Sequence, residues 1–155
     1  MKYKGKDMRK GLLLIILALF VNMAYADPVP PRLMRNFKGY HVMKVTLKKG
    51  VLKLTTSHAV VSLDIYENVI REGACSVLLA NPEKGWEKAW IDRIEVMSRD
   101  ERQGYAFVDA RKACFELNNI KDDAKRKTYF SEQTWICTME ICDDPKPAKA
   151  QKTGE

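Results

Sequence analysis

The stretch HVMKVTLKKGVLKLTT, residues 41–56, decides the fold class, because apolar residues recur at every second position, the period of a half-buried β-strand. Lys49 and Gly50 lie near its middle and can form the two-residue turn of a hairpin. This turn predicts three facing pairs: Lys48 with Val51, Leu47 with Leu52, and Val45 with Leu54. The apolar pairs then share one face of the hairpin, which is predicted to lie on the core.

The opposite face of the predicted hairpin is basic and carries Lys44, Lys48 and Lys53. Such a stripe can bind an anionic partner, for example a phosphate-bearing lipid, a glycan or a nucleic acid. The alternative is a solvated sheet face, or an edge that lysines guard against aggregation. The three lysines are therefore candidate binding residues.

The next part of the chain predicts both helices and strands. Residues 61–70 have apolar side chains at the spacings of an amphipathic helix, and Gly73 can end it. The stretch ACSVLLANP, residues 74–82, fits either a buried strand or one more helical turn. A helical turn over residues 83–88 and a hairpin turning near residues 100–103 are expected to follow.

The last part of the chain predicts one more helix and one more strand. Asp109 can cap a helix that runs to about Asn118, and KDDAKRK, residues 121–127, is expected to be a charged connection. The stretch TWICTMEI, residues 134–141, predicts one strand with four side chains on one face: Trp135, Cys137, Met139 and Ile141. This mixed order predicts a single small α+β domain, stabilised by disulfides, with a mostly antiparallel sheet and two or more helices.

The first 26 residues have the three parts of an export signal: a cationic stretch, the apolar run LLLIILALFV at residues 12–21, and the small-x-small cleavage pattern AYA at residues 24–26. We expect cleavage between Ala26 and Asp27 and a periplasmic or secreted product. An uncleaved membrane anchor is the alternative, although a membrane span needs about 20 apolar residues. No transmembrane segment is therefore expected after cleavage.

Cleavage changes the charge balance and divides the remaining chain into three parts. The signal holds five Lys or Arg and one Asp, so 22 basic and 19 acidic residues remain, a balance that does not indicate a nucleic-acid partner. Residues 27–35 include DPVPPR and are expected to form a flexible, Pro-rich leader, and residues 143–155 a disordered tail. Residues 36–142 then form one α+β domain.

Four cysteines follow the signal: Cys75, Cys114, Cys137 and Cys142. An exported protein meets an oxidising environment, so they predict two disulfides. If residues 134–142 form one strand, Cys137 and Cys142 lie about 17 Å apart, and each is expected to bond to Cys75 or Cys114. A tight turn within TMEI would instead allow the pairs Cys75–Cys114 and Cys137–Cys142.

Motifs for catalysis and cofactors are missing from the sequence. It contains no C-x-x-C motif, nucleophile elbow or phosphate-binding glycine loop. A zinc site would have to combine the cysteines with His41 and His58, and their spacings match no zinc motif. Ser57 next to His58, and a pair of carboxylates at residues 64 and 67, are the nearest approach to hydrolytic groups. No cofactor and no catalytic residue is predicted.

Trp86 and Trp90 lie among charged residues in PEKGWEKAW, residues 82–90. If exposed, these indoles indicate binding to a glycan, a peptide or a partner protein; core packing is the alternative. Trp86 is the better candidate for exposure, because it follows Gly85.

Two classes of function are consistent with these features. The first is a non-enzymatic binding or accessory protein of the bacterial cell envelope, as part of a secretion or surface assembly. Its partner is expected to be another envelope protein or an anionic envelope polymer. The second is a small secreted hydrolase whose active site the sequence does not locate. A pocket joining His58 with a carboxylate and a hydroxyl would favour the hydrolase, and a flat patch with Trp86 or the lysines would favour binding.

Overall fold

One six-stranded sheet organises the protein, whose computed structural model describes Val29 and residues 31–80, 91–139 and 141–143. The strands are β1 (Val42–Lys48), β2 (Val51–Thr56), β3 (Arg93–Met97), β4 (Gln103–Phe107), β5 (Thr134–Thr138) and β6 (Ile141–Asp143), and they lie side by side in chain order. Only β2 and β3 pair in parallel; the other neighbours are antiparallel. The predicted α+β domain with a mostly antiparallel sheet is confirmed.

One helix precedes the first strand, and the others lie in the connections between strands. They are α1 (Pro31–Phe37), followed by a 3-10 turn (Lys38–Tyr40); α2 (Leu63–Asn68), which continues through a π-helical segment (Val69–Cys75) into α3 (Ser76–Ala80); α4 (Ala110–Asn119); and α5 (Asp123–Glu132). The run from α2 to α3 connects the parallel strands β2 and β3, as such a pair requires. Within the described ranges, no helix is long and apolar enough to cross a membrane.

The first hairpin has the predicted register. Lys48 faces Val51, Leu47 faces Leu52 and Val45 faces Leu54. Lys49 and Gly50 both have positive φ angles, of 49° and 78°, as the central residues of a type I′ turn require. The predicted hairpin near residues 100–103 is also present, between β3 and β4.

The helix after β2 does not end at Gly73, as the sequence suggested. Ser62 caps its start by accepting a hydrogen bond from the Ile65 amide, and the helical backbone continues to Ala80. Residues 74–80 are therefore helical. Gly73 is buried, and a Cβ there would lie 3.2 Å from the Phe37 ring, so glycine allows α1 to pack closely.

Two other segments also differ from the prediction. Residues 31–35 of the predicted flexible leader belong to α1, and Leu33 is fully buried, so that part of the leader is a helix that packs on the core. The predicted charged connection contains the start of α5, because the Asp122 carboxylate accepts a hydrogen bond from the Lys125 amide at 2.8 Å. Helix α4 has nearly the predicted bounds, but the Asp109 side chain makes no capping hydrogen bond. The predicted signal peptide, residues 83–88 and residues 144–155 lie outside the described residues.

Most of the core lies between the helices and one face of the sheet. Tyr66 on α2 is fully buried and contacts the rings of Tyr105 and Phe130, and its hydroxyl lies 3.2 Å from the Thr134 hydroxyl. Burial raises the pKa of Tyr66, so this phenol remains neutral. The opposite sheet face, called the open face here, carries a smaller buried cluster: Met97, Ala106 and Cys137.

Candidate functional site

The three candidate lysines lie on the open face, and two of them form ion pairs with one carboxylate. Glu101, in the turn between β3 and β4, lies 3.4 Å from the Lys44 ammonium and 3.5 Å from the Lys53 ammonium. Lys48 ends β1, opposite Val51. The predicted stripe is therefore present as a row of residues, and part of its positive charge is compensated within the molecule.

Glu101 is stabilised in its charged form. The Thr55 hydroxyl donates a hydrogen bond to its carboxylate at 2.8 Å. This hydrogen bond, followed by the charges of Lys53 and Lys44, lowers the pKa of Glu101, although partial burial opposes the shift. Glu101 thus stays ionised to a more acidic pH than an ordinary glutamate and continues to neutralise the lysines.

A second ion pair lies beside the lysines on the open face. Arg93 and Glu95 are on β3, opposite Val51 and Lys53, and their charged atoms are 2.8 Å apart. The Glu95 side chain is only 4% exposed. The Cys142 sulfur lies 3.6 Å from its carboxylate, which is a contact only, because a disulfide sulfur carries no proton to donate. The open face is therefore of mixed charge.

The last predicted strand is a hairpin. Met139 has a φ of 49°, in the left-handed region, and the chain reverses here between β5 and β6. Cys137 and Cys142 become directly opposite residues with Cα atoms 4.0 Å apart, and they form a disulfide. The prediction that each of them bonds to Cys75 or Cys114 is wrong, because it assumed a continuous strand. The alternative pairing is present, with Cys75 bonded to Cys114.

This hairpin presents apolar side chains to solvent. Ile136, Met139 and Ile141 are 53%, 72% and 65% exposed, and we call these three residues the edge surface. Ile136 lies opposite Tyr105, and Ile141 lies opposite Thr138, so both isoleucines are on the sheet face that the helices cover elsewhere. The helical layer thus leaves this end of the sheet partly uncovered.

The loop before α2 reaches the same end of the sheet. The Gln103 side chain accepts a hydrogen bond from the Val61 amide at 2.9 Å and donates one to the Val61 carbonyl at 3.0 Å. Gln103 is itself paired with Thr138 in β5. Val60 and Leu63, on either side of this fixed loop, are also exposed. Further apolar side chains therefore lie at the same end of the sheet as the edge surface.

The other disulfide lies between helices. Cys75 and Cys114 join the end of the π-helical segment to α4, with Cα atoms 5.2 Å apart. They line a cleft of about 320 Å³. Arg71 and Arg126 also line this cleft, but each is paired with a carboxylate of its own helical run. Both of these arginine side chains are therefore already in ion pairs within the protein.

Two of the four groups considered for hydrolysis, His58 and Glu67, make other contacts. The His58 ring packs edge-on against the His41 ring, with centroids 5.3 Å apart. The Glu67 carboxylate forms an ion pair with Arg71 at 2.8 Å. These contacts account for His58 and Glu67 without a nucleophile–base pair.

Trp86 lies outside the described residues, so its exposure stays a prediction. Comparisons of this chain with protein-family models, with curated proteins and with solved structures return no match. The candidate site is therefore defined by the geometry of the chain alone.

Sequence patterns missed three features of the site: the role of Glu101, the pair of Arg93 with Glu95, and the edge surface. The parallel pairing of β2 with β3 brings Glu101 to the lysines and the pair of Arg93 with Glu95 beside them, and no local pattern indicates that pairing. The tight turn in TMEI that creates the edge surface was the alternative to a strand, and no residue type in TMEI marked it. Such a turn interrupts the alternation of inward and outward side chains along TWICTMEI, so Ile141 shares a sheet face with Ile136 instead of with Trp135 and Cys137.

Proposed function

We propose that this protein is a non-enzymatic binding or accessory protein of the cell envelope, and that it binds an extended, apolar segment of another envelope protein along β6. The observation that carries the proposal is the edge surface. Ile136, Met139 and Ile141 are more than half exposed on a hairpin that a disulfide holds closed. Exposed apolar residues grouped at one place are typical of protein-interaction sites.

The backbone of β6 suits such a partner. β6 is the last strand of the sheet and pairs with β5 on one side; among the described strands, none pairs with its other side. An edge strand offers backbone donors and acceptors to which an extended peptide can add as a further strand. The side chain of Ile141, on β6, would then lie beside apolar side chains of that peptide, and Ile136, on β5, would extend the same apolar surface behind it.

The two disulfides support an extracytoplasmic location. Cys75–Cys114 and Cys137–Cys142 use all four cysteines of the chain. Disulfides form and persist in oxidising compartments, such as the periplasm or the medium, and this agrees with the export signal predicted in residues 1–26.

An anionic envelope polymer is the alternative partner, and the structure favours it less. Glu101 compensates Lys44 and Lys53, and Glu95 compensates Arg93 on the same face. A polyanion would have to compete with these carboxylates for the cations. We therefore place the partner at the edge surface rather than on the open face.

The test compares three variants of the disulfide-bonded protein, residues 27–155, as baits in envelope extracts of the producing organism. Ile136→Thr with Ile141→Thr removes apolar surface but keeps β-branched residues in the strands. Phe115→Gln is the matched control, because Phe115 is 62% exposed on α4. Replacing Lys44, Lys48 and Lys53 by Gln tests the open face.

The proposal predicts one partner that the wild type, the control and the lysine variant retain at low and high salt, and that the isoleucine variant loses. Hydrogen exchange on the complex should show new protection of the amides of Ile141–Asp143. Equal retention by the isoleucine variant, or no retained partner at all, would contradict the proposal. Loss by the lysine variant alone, with steep salt dependence, would assign the polyanion instead.

A further inference from the structure

The fold brings the two histidines of the chain together. His41 directly precedes β1 and His58 lies two residues after β2. The first hairpin therefore places them side by side at the end opposite its turn. Their ring centroids are 5.3 Å apart, with an interplanar angle of 71°. His41 is exposed and His58 is partly exposed, so solutes can reach the pair.

Backbone hydrogen bonds fix both histidines. The Ser57 amide donates to the His41 carbonyl at 2.8 Å and continues the pairing of the two strands. The Arg99 amide donates to the His58 carbonyl at 2.8 Å, and the His58 amide donates to the Thr56 hydroxyl at 3.4 Å. The sheet and the β3–β4 turn therefore fix the backbone positions from which the two rings project.

The ring spacing matches a shared metal ion. An imidazole nitrogen binds a divalent transition metal at about 2.0–2.1 Å, and the ring centroid lies roughly 1 Å beyond the nitrogen. Two imidazoles on one ion would then have centroids about 5 Å apart at the tetrahedral angle of Zn²⁺ and about 4.5 Å apart at the right angle that Cu²⁺ prefers, so the observed 5.3 Å is within a small side-chain rotation of both. Small rotations of the two side chains can aim one nitrogen of each ring at the ion.

We propose that His41 and His58 form a two-histidine site for a divalent transition metal. Imidazole suits Zn²⁺, Ni²⁺ and Cu²⁺, and the general order of affinities favours Cu²⁺. In the part of the chain that the structure describes, no group of three or more His, Cys, Asp or Glu side chains could hold a metal. Two imidazoles leave coordination positions on the ion that water would fill. The site is therefore an exposed surface site, weaker than a four-ligand structural zinc site. It does not depend on the binding function proposed for the edge surface.

The test titrates the disulfide-bonded protein, without an added histidine tag, with CuCl₂, NiCl₂ and ZnCl₂ by calorimetry. The variants are His41→Gln and His58→Gln; Met43→Leu is the control, because it removes an exposed thioether beside His41 and leaves the rings unchanged. Thermal unfolding without metal checks that each variant is folded. Electron paramagnetic resonance of the Cu²⁺ complex reports the coordinating nitrogens.

We expect one Cu²⁺ per chain, with nitrogen coordination, bound more tightly than Ni²⁺ or Zn²⁺. Each histidine variant should bind Cu²⁺ at least tenfold more weakly, and the Met43→Leu control should bind it like the wild type. Wild-type affinity in both folded histidine variants would overturn the proposal. No binding by the wild type would also overturn it and leave the pair as ring packing alone.

Discussion

The two disulfides of this protein hold very different regions. Cys75–Cys114 connects residues 39 positions apart, and both cysteines are buried between the π-helical segment and α4. Cys137–Cys142 connects residues five positions apart and closes one hairpin at the edge of the sheet. The first bridge ties distant parts of the chain into the core, whereas the second shapes a local surface.

Loop length sets what each bridge contributes to stability. In the chain-entropy model, a 39-residue loop stabilises the folded state by about 4 kcal/mol and a five-residue loop by about 2 kcal/mol. The core bridge is therefore expected to maintain the fold, and the edge bridge to hold β6 in a binding conformation. Two cysteine replacements test this division, and two further substitutions test the sheet between the bridges, from the largest expected effect to the smallest.

Removal of the core bridge should have the largest effect. Replacing Cys75 and Cys114 by Ala is expected to lower the free energy of unfolding by about 4 kcal/mol, because the unfolded chain regains the freedom of a long loop. Chemical denaturation without reductant measures this loss. A loss smaller than that caused by removing Cys137 and Cys142 would reverse the comparison.

Gly104 tests how closely the sheet is packed beside the edge bridge, because it lies opposite Cys137. A Cβ at this position would lie 2.2 Å from the Val96 carbonyl oxygen and 2.8 Å from the Met97 sulfur. Gly104→Ala is therefore expected to cost about 3 kcal/mol in thermal or chemical unfolding. Gly39→Ala is the control, since a Cβ there meets nothing within 4 Å. Equal stability of the two variants would show that β3 and β4 can move apart.

Removal of the edge bridge should cost less. Replacing Cys137 and Cys142 by Ala is expected to lower the free energy of unfolding by about 2 kcal/mol and to leave the rest of the sheet folded. Amide exchange should quicken in β5 and β6, while β2 and β3 keep their protection. If protection falls equally in all four strands, the edge bridge maintains the whole fold and the division fails.

The substitution of Glu101 is expected to have the smallest effect on stability, and this effect should depend on pH. Because its pKa is lowered in the folded state, its charged form stabilises the protein above its unfolded-state pKa, and this contribution is lost as the pH falls through the folded pKa. Glu101→Gln should therefore lower the melting temperature slightly at pH 7, and the difference from the wild type should vanish in acid. Glu132→Gln, on exposed α5 surface, is the control. A difference that grows in acid would contradict this account.

Local patterns predicted the parts of the fold that depend on neighbouring residues. The first hairpin was predicted with its register, because the alternation and the Lys49-Gly50 turn agree. The prediction that the helix ends at Gly73 was wrong. Glycine is needed there because the helix packs closely on the Phe37 ring, not because the helix ends. Met139 was assigned to a strand, because methionine rarely adopts a positive φ and nothing else in TMEI marks a turn.

The candidate site depends more on distant contacts and was predicted less well. The lysines were placed on the correct face, but their partner Glu101 is 57 residues from Lys44 along the chain. The edge surface exists because the chain reverses at Met139, so the error in the last strand also hid the isoleucines. A pattern of period two cannot show which exposed residues a distant helix leaves uncovered.

The disulfide connectivity of the purified protein tests the central comparison most directly. Non-reducing digestion followed by mass spectrometry should yield one cross-linked peptide pair containing Cys75 and Cys114, and a separate bridged peptide containing Cys137 and Cys142. A peptide that joins Cys137 or Cys142 to Cys75 or Cys114, or four free thiols, would contradict the division between a core bridge and an edge bridge.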